Sequence, residues 1–187
     1  MRLNLHSVSL VCFEATEHLA ALDLMAFMCR LFNFGDVKLL NHFGRKDQFS
    51  SWEHSEAWRY IKTEFILIVD LDGYIVHPGL WNDEWLTYDY IGAPWPESLN
   101  ADRVGNGEFC LKSRRLMKRV ASLPWENLPG DVLVCSNYRK LLISEGFRFA
   151  PVEIAAKFSI EHRVPESAPQ SFGFHGTWNY PRWTGGP

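Results

Sequence analysis

No two of the four cysteines lie close together in the chain. Cys12, Cys29, Cys110 and Cys135 are scattered, so the sequence spells neither a disulfide framework nor a paired-cysteine zinc site, and reduced core residues are expected. No apolar run approaches the roughly 18 residues needed to cross a bilayer. The opening Met-Arg-Leu-Asn-Leu-His lacks the uninterrupted apolar stretch of a secretory leader. A cytoplasmic protein without a transmembrane segment is therefore expected, with peripheral attachment to a membrane left open. Positive charge is also short: 19 Lys and Arg stand against 22 Asp and Glu, for a net charge of −3. Cations gather only at Lys112-Ser-Arg-Arg115 and its neighbours, which argues against a nucleic-acid partner held through its phosphates. Repeats and low-complexity tracts are missing as well, which excludes solenoids and arrays.

What is present is ordinary for a soluble globular domain. The 187 residues, 47% hydrophobic and 22% charged, suffice for one domain with a full core. Aromatics make up 14%, with eight tryptophans, many in loop-like segments where stacking or sugar-facing surfaces become conceivable. Ser7 to Phe13 is a β-rich apolar run, and a helical pattern follows from Glu17 to about Phe34. Thr16 is the expected N-cap, and Leu19, Leu22, Met25, Ala26 and Cys29 form the stripe expected to face a sheet. Val37 to Leu40 reads as a second strand, Ser51 to Lys62 as a second helix, and Phe65 to Val69 as a third strand. This alternation predicts an α/β fold with a mostly parallel central sheet flanked by helices, in which ligands gather at the carboxyl ends of strands. Further on, a polar break from Glu97 precedes a strand at Glu108 to Lys112 and a basic helix at Ser113 to Ala121. A helix at Val132 to Leu142 with Asp131 at its mouth, and a last strand at Gly146 to Pro151, complete the pattern.

The third strand is the chemical centre. Phe-Ile-Leu-Ile-Val runs into Asp70-Leu-Asp72-Gly73, and on a persisting strand the two aspartates would leave the sheet on one face. Like charges so close need a bound cation, a shared proton or full hydration, and a divalent metal ion is the economical answer. Gly73 lets the chain turn there.

Val69-Asp-Leu-Asp-Gly73 resembles the first motif of haloacid-dehalogenase-type phosphatases, in which Asp70 would be the nucleophile and Asp72 would handle the proton. Tyr74 after the glycine, the lack of a late acidic pair and the two β-α units ahead of the motif depart from that pattern. The same string resembles the Asp-x-Asp signature of GT-A-fold glycosyltransferases. Together with Tyr88-Asp-Tyr-Ile-Gly-Ala-Pro-Trp95, Val104-Gly-Asn-Gly-Glu-Phe-Cys-Leu-Lys-Ser-Arg114, Pro129-Gly-Asp131, Phe149-Ala-Pro151 and Ser171-Phe-Gly-Phe-His-Gly176, it is similar to a poorly characterised glycosyltransferase-like family, known as a domain of unknown function, over about Ala21 to Gly176.

That resemblance implies a GT-A-like, Rossmann-like single domain over residues 1–187, with a nucleotide-binding half over about 1–78 and an acceptor-side half over about 79–180. It implies a sugar transfer from a nucleoside-diphosphate sugar to a glycan or lipid-linked hydroxyl, assisted by Mn2+ or Mg2+. Asp72 becomes the principal metal or diphosphate contact, Asp70 assists, and His175 completes the metal site. Asp131 becomes the general base of an inverting displacement. Thr16, Trp95, Asn106, Gly107 and Glu108 fall to the donor or acceptor, with Glu108 where the family has a small residue. A catalytically silent nucleotide- or sugar-binding domain is the third reading.

Overall fold

Side-chain alternation sets the layers. In the computed structural model, which describes residues 2–14, 16–40, 46–96, 104–162 and 170–179 (46–50 by backbone alone), β1 spans Leu3–Phe13, followed by α1 (His18–Leu31), β2 (Phe32–Leu40), α2 (Lys46–Ser55) and β3 (Phe65–Val69). Leu10 and Cys12 of β1, with Leu67 and Val69 of β3, point to one face, while Val11, Phe13, Ile66 and Ile68 point to the other. Each face buries its own apolar layer, so both strands read as continuous hydrophobic runs. Burying one such Leu, Ile or Phe contributes about 1.5–3 kcal/mol. The polar stretch over 97–103 and the segment 180–187 lie outside the described residues.

Beyond β3 come β4 (Gly73–Ile75), β5 (Tyr90–Gly92), β6 (Phe109–Ser113) and α3 (Arg114–Val120). The main sheet has the order β2-β1-β3-β6-β5. Its β1 pairs in parallel with β2 and β3, whereas β6 runs antiparallel to both β3 and β5. The sheet is therefore mixed, which corrects the expectation of a mostly parallel one: apolar runs report burial on both faces but not strand direction. The reversal has a consequence for the site. Phe109, the first residue of β6, pairs with Val69, the last of β3, so the loop before β6 stands beside Asp70.

The next helical segment is α4 (Gly130–Val132), a π-helical turn over Leu133–Asn137 and α5 (Arg139–Ser144), so the single helix expected at Val132 to Leu142 is interrupted. The expected strand at Gly146 to Pro151 is reduced to one bridge between Tyr90 and Phe149, and α6 (Val152–Phe158) follows it. A second sheet, β4-β8-β7, is built from β7 (Ser159–Ile160) and β8 (Gly173–His175). Phe109 joins it to the main core, because a Cβ on Gly173 would come within 2.3 Å of the Phe109 ring and only glycine fits.

Two local expectations are corrected. Helix α1 begins at His18 with no side-chain cap, because the Oγ1 and N–H of Thr16 both turn to Oε1 of Glu14. Its buried stripe is Ala21, Leu24, Met25 and Met28, while Leu19 is 80% and Leu22 51% exposed. All four cysteines are free thiols; Cys12, Cys110 and Cys135 are buried and Cys29 is partly so. Among the described residues, no helix is long and apolar enough to cross a membrane.

Candidate functional site

Strand β3 ends at Val69, and Asp70-Leu-Asp-Gly73 is a tight turn closed by the Gly73 N–H on the carbonyl of Asp70 at 2.9 Å. The two aspartates therefore do not alternate on a strand, as the sequence suggested; the turn splits their tasks. The Asp70 N–H donates to the Glu108 carbonyl at 2.9 Å, tying the turn to the loop before β6. Asp72 faces the second sheet, where Gly73 pairs with His175 and the Gly176 N–H donates to the Asp72 carbonyl at 3.0 Å.

The buried imidazole of His175 is the hub. Its Nε2 lies 3.0 Å from Oδ1 of Asp72 and 2.9 Å from Oε2 of Glu108, and its Nδ1 lies 3.5 Å from Oε1 of Glu161. Burial disfavours the charged ring, but hydrogen bonds to Glu108 and Glu161 and the charge of Asp72 outweigh it and lift His175 to about 10. Asn106, also buried, takes a left-handed φ of 57°, accepts the Phe109 N–H through Oδ1 at 2.9 Å and sets Nδ2 at 3.3 Å from Nδ1 of His175. Burial, and next the charge of Glu108, push the Asp70 carboxyl up to about 7, with His175 opposing.

The donor set fits a divalent cation. Oxygens of Glu108 and Glu161 and a ring nitrogen of His175 come within 4.8 Å of one another. Glu161 Oε2 is shut off from solvent without a hydrogen-bond partner, 3.4 Å from Nε2 of His162. Three carboxylates, with Asp70 nearby, exceed the charge that one imidazolium can offset, and carboxylate oxygens with an imidazole nitrogen are a donor set that metal ions accept.

Asp131 sits in the first turn of α4, its Oδ1 accepting the Val132 N–H at 2.9 Å. Its Cβ lies 3.4 Å from the place a Cβ on Gly107 would occupy, so Asp131 leans on the residue next to Glu108. Burial raises its pKa; the Val132 N–H and Lys112 work against this, and Glu161 and Glu108 add to it.

Of the residues picked from the sequence, Asp72, His175, Glu108 and Asn106 meet directly, Asp70 joins through backbone and charge, and Gly107 and Asp131 adjoin. Thr16 lies on the exposed turn after β1, bonded to Glu14. Trp95 is 8% exposed and belongs to the core on the α3 side, its ring packed so tightly on Gly105 that a Cβ there would come within 1.9 Å. Sequence reasoning missed Glu161 and Asn179. The Asn179 amide donates to the carbonyls of both Glu161 and His175 at 2.8 Å, clamping the end of β7 to the end of β8. The one available signal was the short stretch Phe158-Ser-Ile160 stopping at an acid, a faint copy of Val69-Asp70.

The family described as a protein of unknown function, DUF5672, matches residues 37–175. No curated protein matches the chain. Among solved structures, a mannosyltransferase from Pyrobaculum calidifontis in complex with GDP-Man and Mn2+ shares the fold, with a TM-score of 0.52 and 11% identity. The alignment covers 78% of this chain and 54% of that one, so the chain spans about half of that enzyme's length.

Proposed function

The chain belongs to this family of unknown function, and we propose for it a metal-dependent glycosyltransferase activity, moving a sugar from a nucleoside-diphosphate sugar to a hydroxyl of a glycan or lipid-linked acceptor. One observation carries the reading: carboxylates of Asp72, Glu108 and Glu161 converge on His175 at the carboxyl end of β3, with Asp131 next to them. The likeness in fold to an enzyme solved with GDP-Man and Mn2+ supports it.

In this reading Glu108, Glu161 and His175, with Asp72 beside them, would hold Mn2+ or Mg2+, and the Asn106 amide 3.3 Å from Nδ1 fixes the imidazole. The ion, when bound, supplies positive charge to the departing diphosphate. Asp131 takes the proton of the acceptor hydroxyl as that oxygen bonds to the anomeric carbon. The bond from that carbon to the diphosphate oxygen breaks, and the configuration inverts. A raised pKa makes Asp131 a better base than an ordinary carboxylate. The residues over about 1–78 form the nucleotide side, and those over about 79–180 the acceptor side together with Glu108, Glu161 and His175 of the cation cluster.

The phosphatase alternative, with Asp70 as nucleophile, ranks second, because Tyr74 follows the motif glycine and two strand-helix units precede the motif. A silent binding domain ranks third. A thermal-shift screen of nucleoside diphosphates and nucleotide sugars, with and without Mn2+, tests the reading. Metal-dependent stabilisation by one base, followed by sugar turnover, supports it. No metal-dependent response to any of them overturns it, and phosphate release lost in Asp70→Asn moves the assignment to the phosphatase.

A further inference from the structure

Three residues past His175, Trp178 presents an exposed indole in a setting that fixes it. It is 45% exposed; Tyr60, the other aromatic with comparable exposure among the described residues, packs on Trp52 instead. The Trp178 Nε1–H donates to the Glu161 carbonyl at 2.5 Å, and the ring lies edge to face with the His175 imidazole at 6.3 Å between centroids. Beneath it is Gly176 at φ +96°, where a Cβ would come within 2.4 Å of the indole, so the residue under the ring has to be glycine on two counts. Asn179 clamps the next turn to Glu161 and His175. A large apolar ring left in water is costly, and here backbone conformation, a hydrogen bond and packing combine to hold it there beside the charged cluster.

We propose that Trp178 is the platform on which the pyranose ring of the donor stacks, an assignment that rests on the glycosyltransferase reading. The indole N–H is already used by Glu161, so what the ring offers a ligand is an apolar surface and no donor. The C–H face of a pyranose matches such a surface. The donor sugar is the matching part, since it is bonded directly to the phosphate that the His175 cluster would face. The base is set apart by two phosphates and a ribose.

The test compares GDP with GDP-mannose, and UDP with UDP-glucose, each with MnCl2, by thermal shift and calorimetry on the wild type, Trp178→Phe and Trp178→Ala. The expected result is an unchanged response to the nucleoside diphosphate in all three proteins. The extra affinity conferred by the sugar falls about tenfold in Trp178→Ala and is largely kept in Trp178→Phe. Equal weakening of diphosphate and sugar nucleotide in Trp178→Ala would assign the ring to the base or to structure and overturn the proposal. If the wild type ignores all four probes with Mn2+, the glycosyltransferase reading falls and the platform with it. If it responds and Trp178→Ala keeps the sugar increment, the platform alone falls.

Discussion

Oε2 of Glu108 lies 2.9 Å from Nε2 of His175, although Glu108 precedes a strand of the main sheet and His175 ends one of the small sheet. The same nitrogen is 3.0 Å from Asp72. A cation entering between these oxygens would take over a nitrogen they now share. Replacing Asp72 by Asn is expected to abolish Mn2+-dependent stabilisation by nucleotide, and Glu108→Ala to weaken it by about 10–100-fold. Thermal shift against MnCl2 concentration reads both, and unaltered metal response in Asp72→Asn would remove it from the metal set.

Asp131 is held in a setting that favours its neutral form. With a folded pKa above the ordinary aspartate value, its contribution to stability is full below that ordinary value and is lost as pH rises through the raised folded pKa. Asp131→Asn is therefore expected to be as stable as the wild type at pH 7, or more so, while losing about 100-fold or more in kcat. Urea unfolding together with turnover checks this, and the acid limb of the wild-type rate profile should lie above the ordinary aspartate range. A variant that keeps its kcat would remove Asp131 as the base.

Gly173 of the small sheet packs directly against the Phe109 ring of β6. A methyl group there would drive into Phe109, so Gly173→Ala should cost about 1–3 kcal/mol and displace His175. Urea denaturation would show the loss of stability, and a weakened Mn2+ response at temperatures where the variant stays folded would show the displacement.

Asp89 offers a contrast away from the site. Its buried carboxylate accepts from Ser113 Oγ at 2.5 Å, Arg115 Nε at 2.7 Å and the Arg148 N–H at 2.9 Å, and it pairs with Nη2 of Arg115. Asp89→Ala strands these donors and should cost about 3–5 kcal/mol. The metal response of the protein that remains folded is expected to be unchanged, as measured by Mn2+ titration at low temperature.

Elements whose signal is local were legible before any tertiary contact. The apolar runs at Ser7 to Phe13 and Phe65 to Val69 are strands covered on both faces, and the basic helix expected over Ser113 to Ala121 forms as Arg114–Val120, with Ser113 capping it through the Leu116 N–H at 3.1 Å. The aspartate at the end of β3 and the reduced cysteines were equally legible, since each follows from a neighbouring pattern or from missing partners. Helix α1 was less so: apolar residues lie nearly all round it, and periodicity alone could not choose Ala21 and Met28 over Leu19 and Leu22.

Tertiary structure alone decided the rest. The antiparallel course of β6 and the pairing of β4, β8 and β7, strands of two or three residues, depend on contacts between segments far apart in sequence, and strands so short carry no period to read. That pairing is what sets Glu161 and Asp72 on either side of His175. The chain specifies each acid one position at a time, but their convergence on one imidazole is a property of strand register, which only the packed sheets fix.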